Sequence, residues 1–216
     1  MGCRLAGPRV FGVRPMNRNL GVLISGRGSN LQAIIDAIAA GRLDARIRVV
    51  VSNRADAQGL ARARDAGIET LVMSHRAFPS REAFDSAVVA EFATREVALV
   101  CLAGFMRLLS PVFIRAYPNA ILNIHPALLP AFPGLDAQHQ AWEHGVKITG
   151  ATVHIVTADL DAGPIVLQKA VPVLEDDTPD TLAARILAEE HRIYPEAIQI
   201  VLDGKWRIKG RRFIRS

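Results

Sequence analysis

Short apolar runs alternate with segments of helical periodicity along most of this 216-residue chain. The first apolar run, residues 20–25, precedes a helical segment at 31–40 that ends at Gly41, and the second run, 47–52, precedes one that ends at Gly67. Strands that alternate with helices in this way form βαβ units, which place the strands in parallel. The sequence therefore predicts an α/β fold: a single domain with a mostly parallel, twisted, Rossmann-like sheet flanked by helices.

The same pattern supplies the remaining elements. We predict strands at residues 20–25, 47–52, 69–73, 97–102, 120–123, 151–156 and 165–173. We predict helices at residues 31–40, 56–66, 80–94, 138–144 and 178–203. Pro195 is a candidate interruption of the last helix, because proline lacks the N–H that a helix needs. Residues 126–134 hold three prolines and are predicted to form a loop, and residues 206–215 a hairpin or arm.

The net charge of +5 is concentrated at the two ends of the chain. Residues 1–18 carry four arginines and residues 204–216 carry six basic residues, with no acid in either segment, whereas 16 basic and 21 acidic residues lie between them. Zinc-finger spacing, an RNP-like aromatic motif and a basic heptad region are all missing from the sequence, so we predict no specific nucleic-acid partner. No apolar run approaches the roughly 18 residues that cross a membrane, so we predict no membrane partner.

The two ends also set the predicted domain organisation. Residues 1–16 have no continuous apolar segment of the signal-peptide kind, and we predict that residues 1–18 form a disordered, dispensable extension with Met16 as a candidate working start. Residues 19–203 are predicted to form the folded domain and residues 204–216 a basic arm. Cys101 lies in an apolar run far from Cys3, which favours a buried, reduced thiol and a cytoplasmic location.

Two polar residues close the predicted strand at 120–123. Asn123 and His125 are two residues apart, so in extended chain both side chains leave the same face. Pro126 has no N–H for a sheet ladder, so the chain is expected to turn there. An amide donor beside an imidazole can stabilise and protonate a developing oxyanion. A histidine at a strand end can equally be structural, and the spacing alone leaves both interpretations open.

A glycine loop, Ser25-Gly26-Arg27-Gly28-Ser29-Asn30, joins the first strand to the first helix. Its free N–H groups at a helix N-terminus can bind an anion. The loop lacks the third glycine of the dinucleotide fingerprint and the Gly-Lys-Ser/Thr of a Walker loop. It therefore fits a phosphomonoester, and it can also be a tight turn in which Asn30 caps the helix.

Three candidate segments are expected at one edge of the sheet. Ligands of open parallel sheets bind at the carboxyl ends of the strands. The glycine loop, residues 103–107 and the pair Asn123 and His125 each follow a predicted strand. The sequence therefore predicts a shared site at that edge.

Asp161 is a fourth candidate, in a turn after the strand at 151–156. A carboxylate close to His125 would raise the pKa of that histidine. Asp161 stands before Ala-Gly-Pro, so it can also be a simple turn former. The other histidines of this region have neither the spacing of zinc ligands nor a cysteine beside them, and we predict no metal. They are His139, His144 and His154.

Four motifs in this order resemble the phosphoribosylglycinamide formyltransferase family, folate-dependent enzymes of purine synthesis. They are Ser25-Gly-Arg-Gly-Ser-Asn-Leu-Gln32, Ala103-Gly-Phe-Met-Arg107, Asn123-Ile-His-Pro-Ala-Leu-Leu-Pro130 and Leu160-Asp-Ala-Gly163. The resemblance covers roughly residues 19–203 and implies that this segment is the catalytic domain. It implies formyl transfer from 10-formyltetrahydrofolate, a co-substrate, to the amine of 5′-phosphoribosylglycinamide (glycinamide ribonucleotide) by direct attack through a tetrahedral intermediate, in a monomer or homodimer.

The resemblance also implies a role for each matching residue. The implied catalytic residues are Asn123, His125 and Asp161. The implied contacts to glycinamide ribonucleotide are Gly28, Ser29 and Asn30 at its phosphate and Glu190 near its amine. The implied folate-binding residues are Arg81, Met106, Arg107, Leu108, Leu109, Asn123, Thr157 and Asp161. Residues 131–138 differ from relatives that have basic and histidine residues there, so their contacts are left unassigned.

Two related enzymes and one non-catalytic protein are the alternatives. Methionyl-tRNA formyltransferase has the same catalytic trio but is a longer chain with a tRNA-binding C-terminal domain, for which the arm at 204–216 is short. Formyltetrahydrofolate deformylase transfers the formyl group to water and commonly has a regulatory N-terminal domain, for which 16 residues are few. A phosphate-binding module would keep the glycine loop without needing Asn123, His125 and Asp161 together.

Overall fold

The computed structural model describes residues 17–216. The N-terminal half holds β1 (Asn19–Ile24), α1 (Ser29–Ala39), β2 (Arg46–Ser52), α2 (Gly59–Asp65), β3 (Thr70–Val72), a short 3-10 turn (His75–Ala77), α3 (Arg81–Thr94), β4 (Leu99–Leu102) and α4 (Pro111–Ala116). The C-terminal half holds β5 (Ile121–His125), α5 (Ala137–Glu143), β6 (Ile148–Ile155), β7 (Ile165–Pro172), α6 (Pro179–Leu202), β8 (Trp206–Lys209) and β9 (Arg212–Arg215).

All nine strands of the described region belong to one sheet, in the order β3-β2-β1-β4-β5-β6-β7-β9-β8. The first five strands of that order are parallel, and β6 and β7 follow as antiparallel neighbours. Central strands such as Leu99–Leu102 are buried along their whole length, as a parallel sheet covered by helices requires. The predicted α/β fold is confirmed.

The buried core lies between the sheet and the helices. The longest helix, α6, packs against β5, β6 and β7 as well as against α1 and α5. The Tyr194 hydroxyl on α6 is buried, at 2.9 Å from the Leu102 carbonyl and 3.0 Å from the Leu122 carbonyl. It therefore ties the helix to the carboxyl ends of β4 and β5. Cys101 is fully buried in β4, as predicted.

Several elements differ from the predictions. Helix α6 is continuous through Pro195, because buried side chains on both sides of the proline hold it against the core. Strand β5 extends to His125, since His125 pairs with Thr152 of β6 before Pro126 ends the ladder. The short helix α4 was not predicted; it has only six residues and begins at a proline. These differences come from tertiary packing, which local pattern does not report.

Both ends of the described region contact the folded domain. Residues 1–16 of the predicted extension, including the candidate start Met16, lie outside the described residues. Asn17 donates to the Glu96 carbonyl, and Arg18 pairs with Asp203 at 3.2 Å. The predicted C-terminal hairpin is present as β8 and β9, and β9 meets β7 at Ile165 and Arg212. Across residues 17–216, none of the helices combines the length and apolar character that spanning a bilayer demands.

Candidate active site

The three predicted segments meet at the carboxyl ends of β1, β4 and β5. The Ser25 N–H donates to the Gly104 carbonyl at 3.0 Å, and the Met106 N–H donates to the Ser25 hydroxyl at 2.9 Å. These two bonds join the glycine loop to residues 103–107. Asn123 and His125 lie at the end of the neighbouring strand. The three segments that follow predicted strands therefore lie together at one edge of the sheet, as expected; their role as a site stays a prediction.

The glycine loop begins α1 through Gly28. Gly28 has a φ of 70°, in the left-handed region that favours glycine, and it is the N-cap of the helix. Asn30 therefore does not cap the helix, contrary to one of the two interpretations of the sequence. Instead its side-chain amide donates to Glu190 on α6 at 2.8 Å. The loop is thus free of a side-chain cap at its N–H groups, and Asn30 points toward α6.

A second glycine, Gly59, allows the loop to pack closely on α2. A Cβ atom at Gly28 would lie 2.5 Å from the Gly59 Cα, so neither position has room for a side chain. The Gly59 N–H donates to the Gly26 carbonyl, and Arg62 donates from its Nε to the Arg27 carbonyl, each at 3.0 Å. These contacts were not predicted; the only sequence signal was a glycine near the start of a helix.

A cavity of about 350 Å³ opens beside the glycine loop. Arg42 and Arg62 supply positive charge to its wall, opposed by a single acid, Asp36. The Nε2 atom of His191 is buried there without a hydrogen-bond partner in the described chain. The lining residues are Ser29, Gln32, Ala33, Asp36, Arg42, Arg62 and His191. A cavity with this lining can accept an anion next to Ser29.

Glu190 is 5% exposed and lies between this loop and the core. Burial raises the pKa of Glu190 to about 7, while the Asn30 hydrogen bond and the charge of Arg27 oppose the rise. The carboxyl can therefore exchange a proton near neutral pH. Glu190 is one helical turn from Tyr194, which is bonded to Leu122 beside Asn123. This connects the glycine-loop side of the site to the end of β5.

A polar cluster is formed by Asn123, His125, His154 and Asp161, of which the two histidines are buried and the other two residues are partly buried. The Asp161 carboxylate lies 3.5 Å from His125 Nδ1 and 3.6 Å from His154 Nε2. The Asn123 amide donates to His154 Nε2 at 3.1 Å. The two histidines are 4% and 2% exposed. Asp161 is thus flanked by two imidazole nitrogens, and His154 is a member that was not predicted.

Backbone carbonyls determine where the ring protons sit. A carbonyl can only accept, so His125 donates from Nε2 to the Phe132 carbonyl at 2.8 Å. His154 likewise donates from Nδ1 to the Ile155 carbonyl at 3.2 Å. In the neutral rings the nitrogens facing Asp161 are therefore bare. A proton added on His125 Nδ1 would face the carboxylate directly.

The pKa of His125 lies below its ordinary value. Burial is the largest cause and His154 adds to it, while the Phe132 carbonyl and the Asp161 charge act in the opposite direction. Asp161 has the predicted effect on His125, but burial outweighs it, so the predicted net rise in the pKa of His125 is wrong. The neutral imidazole is the resting form at neutral pH.

The pKa of Asp161 also lies below its ordinary value, but here burial is outweighed by the neighbouring groups. Burial acts to raise it, but His154, the Gly134 N–H and the charge of His125 together lower it. Gly134 donates to Asp161 Oδ2 at 2.8 Å. Asp161 is therefore a carboxylate at neutral pH, and the cluster can take up one proton beside it.

The residues predicted on the folate side lie around residues 106–109 and α3. The Arg107 guanidinium lies 5.6 Å from the centre of the Phe84 ring, one turn into α3 from the exposed Arg81. Met106 and Leu108 are 65% and 57% exposed, whereas Leu109 packs on the core. Thr157 lies outside this group, and its hydroxyl donates to the Asp159 carbonyl at 3.4 Å. The apolar exposed side chains can contact a flat organic ligand.

Comparison with known proteins identifies the family. The sequence profile described as formyl transferase matches residues 18–198. The chain is 50% identical over 187 residues to a phosphoribosylglycinamide formyltransferase from Escherichia coli, a match that covers 87% of this chain and 88% of that protein. The chain belongs to the phosphoribosylglycinamide formyltransferase family. The predicted family and enzyme class are confirmed.

Two further relatives of this formyltransferase family place the match in context. Glycinamide ribonucleotide transformylase 1 from Symbiobacterium toebii has a crystal structure that superposes with a TM-score of 0.91 at 56% identity, covering 98% of this chain and 99% of that one. The trifunctional purine biosynthetic protein adenosine-3 of Bos taurus is 48% identical over 201 residues, which cover 92% of this chain but only 20% of that protein. The match thus concerns one segment of the trifunctional protein.

The described residues, 17–216, also bear on the prediction that the site holds no metal. Within this part of the chain no three His, Cys, Asp or Glu side chains are arranged to hold a metal ion. The histidines of the polar cluster are instead hydrogen-bonded to backbone carbonyls and to Asn123. The expectation of metal-free chemistry stays a prediction.

Proposed function

We propose that Asn123, His125 and Asp161 transfer the formyl group of 10-formyltetrahydrofolate to the amine of glycinamide ribonucleotide, giving formylglycinamide ribonucleotide in purine biosynthesis. The observation that carries this proposal is the placement of an amide–imidazole–carboxylate cluster on the same sheet edge as a glycine loop that begins a helix without a side-chain cap. Direct transfer requires both substrates at one place. A shared edge provides it.

The glycine loop is proposed to bind the ribonucleotide phosphate through Gly28, Ser29 and Asn30. Support comes from the helix N-terminus at Gly28 and from the arginine-lined cavity beside Ser29. Glu190 is proposed to accept a hydrogen bond from the substrate amine. Its pKa of about 7 suits a group that must tolerate proton exchange with an amine at neutral pH.

Folate binding is proposed for residues 106–109, α3, the polar cluster and Thr157. The proposed contacts are Arg81, Met106, Arg107, Leu108, Leu109, Asn123, Thr157 and Asp161. Exposed apolar side chains at 106 and 108 suit a planar ring system, and the guanidinium of Arg81 suits a carboxylate. Both substrates are small molecules; a monomeric or homodimeric state and a cytoplasmic location stay predictions.

The proposed reaction begins with attack of the amine on the formyl carbon. A C–N bond forms, the carbonyl oxygen becomes an oxyanion, and the bond to the folate nitrogen then breaks as that nitrogen gains the proton that the amine loses. The proposed donors to the oxyanion are the Asn123 amide and the His125 Nε2–H, and in binding substrate His125 exchanges its bond to the Phe132 carbonyl for one to the oxyanion. Because the resting His125 is neutral, Asp161 acts by stabilising the proton that His125 holds during the reaction, not by keeping the resting ring charged.

Acceptor dependence tests this function. The chain is incubated with 10-formyltetrahydrofolate, with and without glycinamide ribonucleotide, and the release of tetrahydrofolate is followed by absorbance. We expect turnover only with the ribonucleotide. Turnover without it would identify a hydrolase, and the absence of turnover in both reactions would contradict the proposal and favour a formyl acceptor such as an aminoacyl-tRNA or a phosphate-binding module.

A further inference from the structure

The C-terminal hairpin is fixed to the body of the protein at two points. Trp206 of β8 donates from its indole N–H to the Val201 carbonyl near the end of α6 at 2.9 Å. Its ring stacks on Phe213 of β9, with 5.0 Å between the ring centres. The hairpin turns at Gly210 and Arg211, which connect Lys209 to Arg212. The position of this turn is therefore set by buried aromatic packing at its base.

The turn of the hairpin contacts the segment that carries Asp161. Arg211 donates from Nη2 to the Ala162 carbonyl at 2.9 Å. The one pairing between β9 and β7, Arg212 with Ile165, lies beside this contact. Ala162 is the residue after Asp161, so the hairpin reaches the backbone of the polar cluster from outside.

Asp161 needs such support because its backbone is strained. Its φ of 49° lies in the left-handed region, which a non-glycine residue adopts only where its surroundings hold it there. Gly134 holds the Asp161 side chain, and Gly163 packs directly against the Ile155 carbonyl. Among residues 17–216, Arg211 is the one side chain of another element that hydrogen-bonds to the backbone of residues 159–163.

We propose that Arg211 is a positioning residue that holds the Asp161 turn in the conformation used for formyl transfer. The expected effect on kcat rests on the proposed function. The expected effect on the position of Asp161 beside His125 does not. Two groups face His125, Asp161 from the turn and His154 from β6, and only Asp161 changes position if the turn relaxes. Loss of Arg211 would therefore let the Asp161 carboxylate move away from His125 Nδ1 and would weaken the attraction between them.

The kinetic test compares Arg211→Ala with Arg207→Ala, which removes another exposed arginine from the same hairpin. We expect Arg211→Ala to lower kcat about tenfold at unchanged KM for the ribonucleotide, since misplacement of a supporting group acts on the reacting geometry. Arg211→Lys should recover part of the loss, and Arg207→Ala should behave as wild type. Equal losses in both alanine variants would overturn the proposal in favour of a general charge effect.

A second measurement keeps the test independent of the reaction. The ring resonances of His125 and His154 are followed against pH by NMR in the ligand-free protein. In Arg211→Ala we expect the His125 midpoint to move to lower pH, in the direction given by Asp161→Asn, with thermal stability and the Arg207→Ala midpoint unchanged. An unmoved His125 midpoint overturns the proposal even if the formyl transfer is confirmed. A moved midpoint supports it even if the wild-type chain uses another acceptor.

Discussion

The glycine loop and the polar cluster lie on the same edge of the sheet but are built from different parts of the chain. The glycine loop works through backbone: a left-handed Gly28, free N–H groups and close packing on Gly59. The polar cluster works through buried side chains whose protonation depends on one another. Changes in the loop should therefore alter binding and stability, whereas changes in the cluster should alter turnover and its dependence on pH.

The largest expected effect is on turnover when the cluster loses its imidazole. His125→Ala removes an oxyanion donor, and we expect kcat to fall about 10²–10³-fold. The KM for the ribonucleotide should change little, because the glycine loop is untouched. Steady-state kinetics with both substrates saturated in turn measure the two values. Near-normal kcat would remove His125 from the chemistry.

The second prediction concerns the stability of the region around the glycine loop. It depends on Glu190, the buried acid that Asn30 contacts. Its pKa of about 7 in the folded chain exceeds its ordinary value of 4.5, so its contribution to stability is complete below about pH 4.5 and is lost as pH rises through 7. Glu190→Gln keeps an acceptor for Asn30 but cannot ionise. The stability of wild type should thus fall relative to Glu190→Gln by roughly 3 kcal/mol across that range.

Chemical unfolding at pH 4.5, 6 and 8 measures this difference between the two proteins. The free energy of unfolding of Glu190→Gln, relative to that of wild type, should increase with each step up in pH. Parallel stability curves would mean that Glu190 ionises normally in the folded chain and would contradict its proposed role beside the amine.

A smaller effect is expected on binding when the loop loses its glycine. Gly28→Ala places a Cβ 2.5 Å from the Gly59 Cα and should raise the KM for the ribonucleotide roughly tenfold with kcat nearly unchanged. Gly41→Ala is the matched control: Gly41 has a φ of 68°, but a Cβ there would meet nothing within 4 Å. The control should lose about 1 kcal/mol of stability and no affinity. A rise in KM in both variants would mean that backbone strain at positive φ, and not the contact with Gly59, causes the effect.

The smallest effect is a shift in titration within the cluster. Asp161→Asn keeps an acceptor for the Gly134 N–H but removes the charge that raises the pKa of His125. The His125 midpoint, measured by NMR, should move to lower pH because the carboxylate charge is gone. The limb of the pH–kcat/KM profile governed by His125 should move with it. A midpoint that stays in place or moves upward would show that the Asp161 charge does not raise the pKa of His125.

Sequence reasoning predicted the sheet, the three segments that share one edge of it, and Asp161 as a further candidate, because apolar runs, helical periodicity and motifs are all local patterns in the chain. It did not predict His154, since one more strand histidine has no distinguishing pattern until β5 and β6 pair in antiparallel register. The roles of Gly59 and Arg211 were not predicted for the same reason, because each residue acts through a contact with a loop that is distant in sequence. The net pKa of His125 depends on burial, which no spacing of residues reports.

The central claim is that the polar cluster transfers the formyl group while the glycine loop binds the acceptor. Its most direct test uses 10-formyltetrahydrofolate labelled with ¹³C in the formyl group, with product formation followed by NMR and ribonucleotide binding followed by calorimetry. Wild type should place the label on the ribonucleotide amine in step with folate release, and His125→Ala should bind the ribonucleotide normally but transfer almost no label. Label released as free formate, or transferred equally by His125→Ala, would contradict the claim.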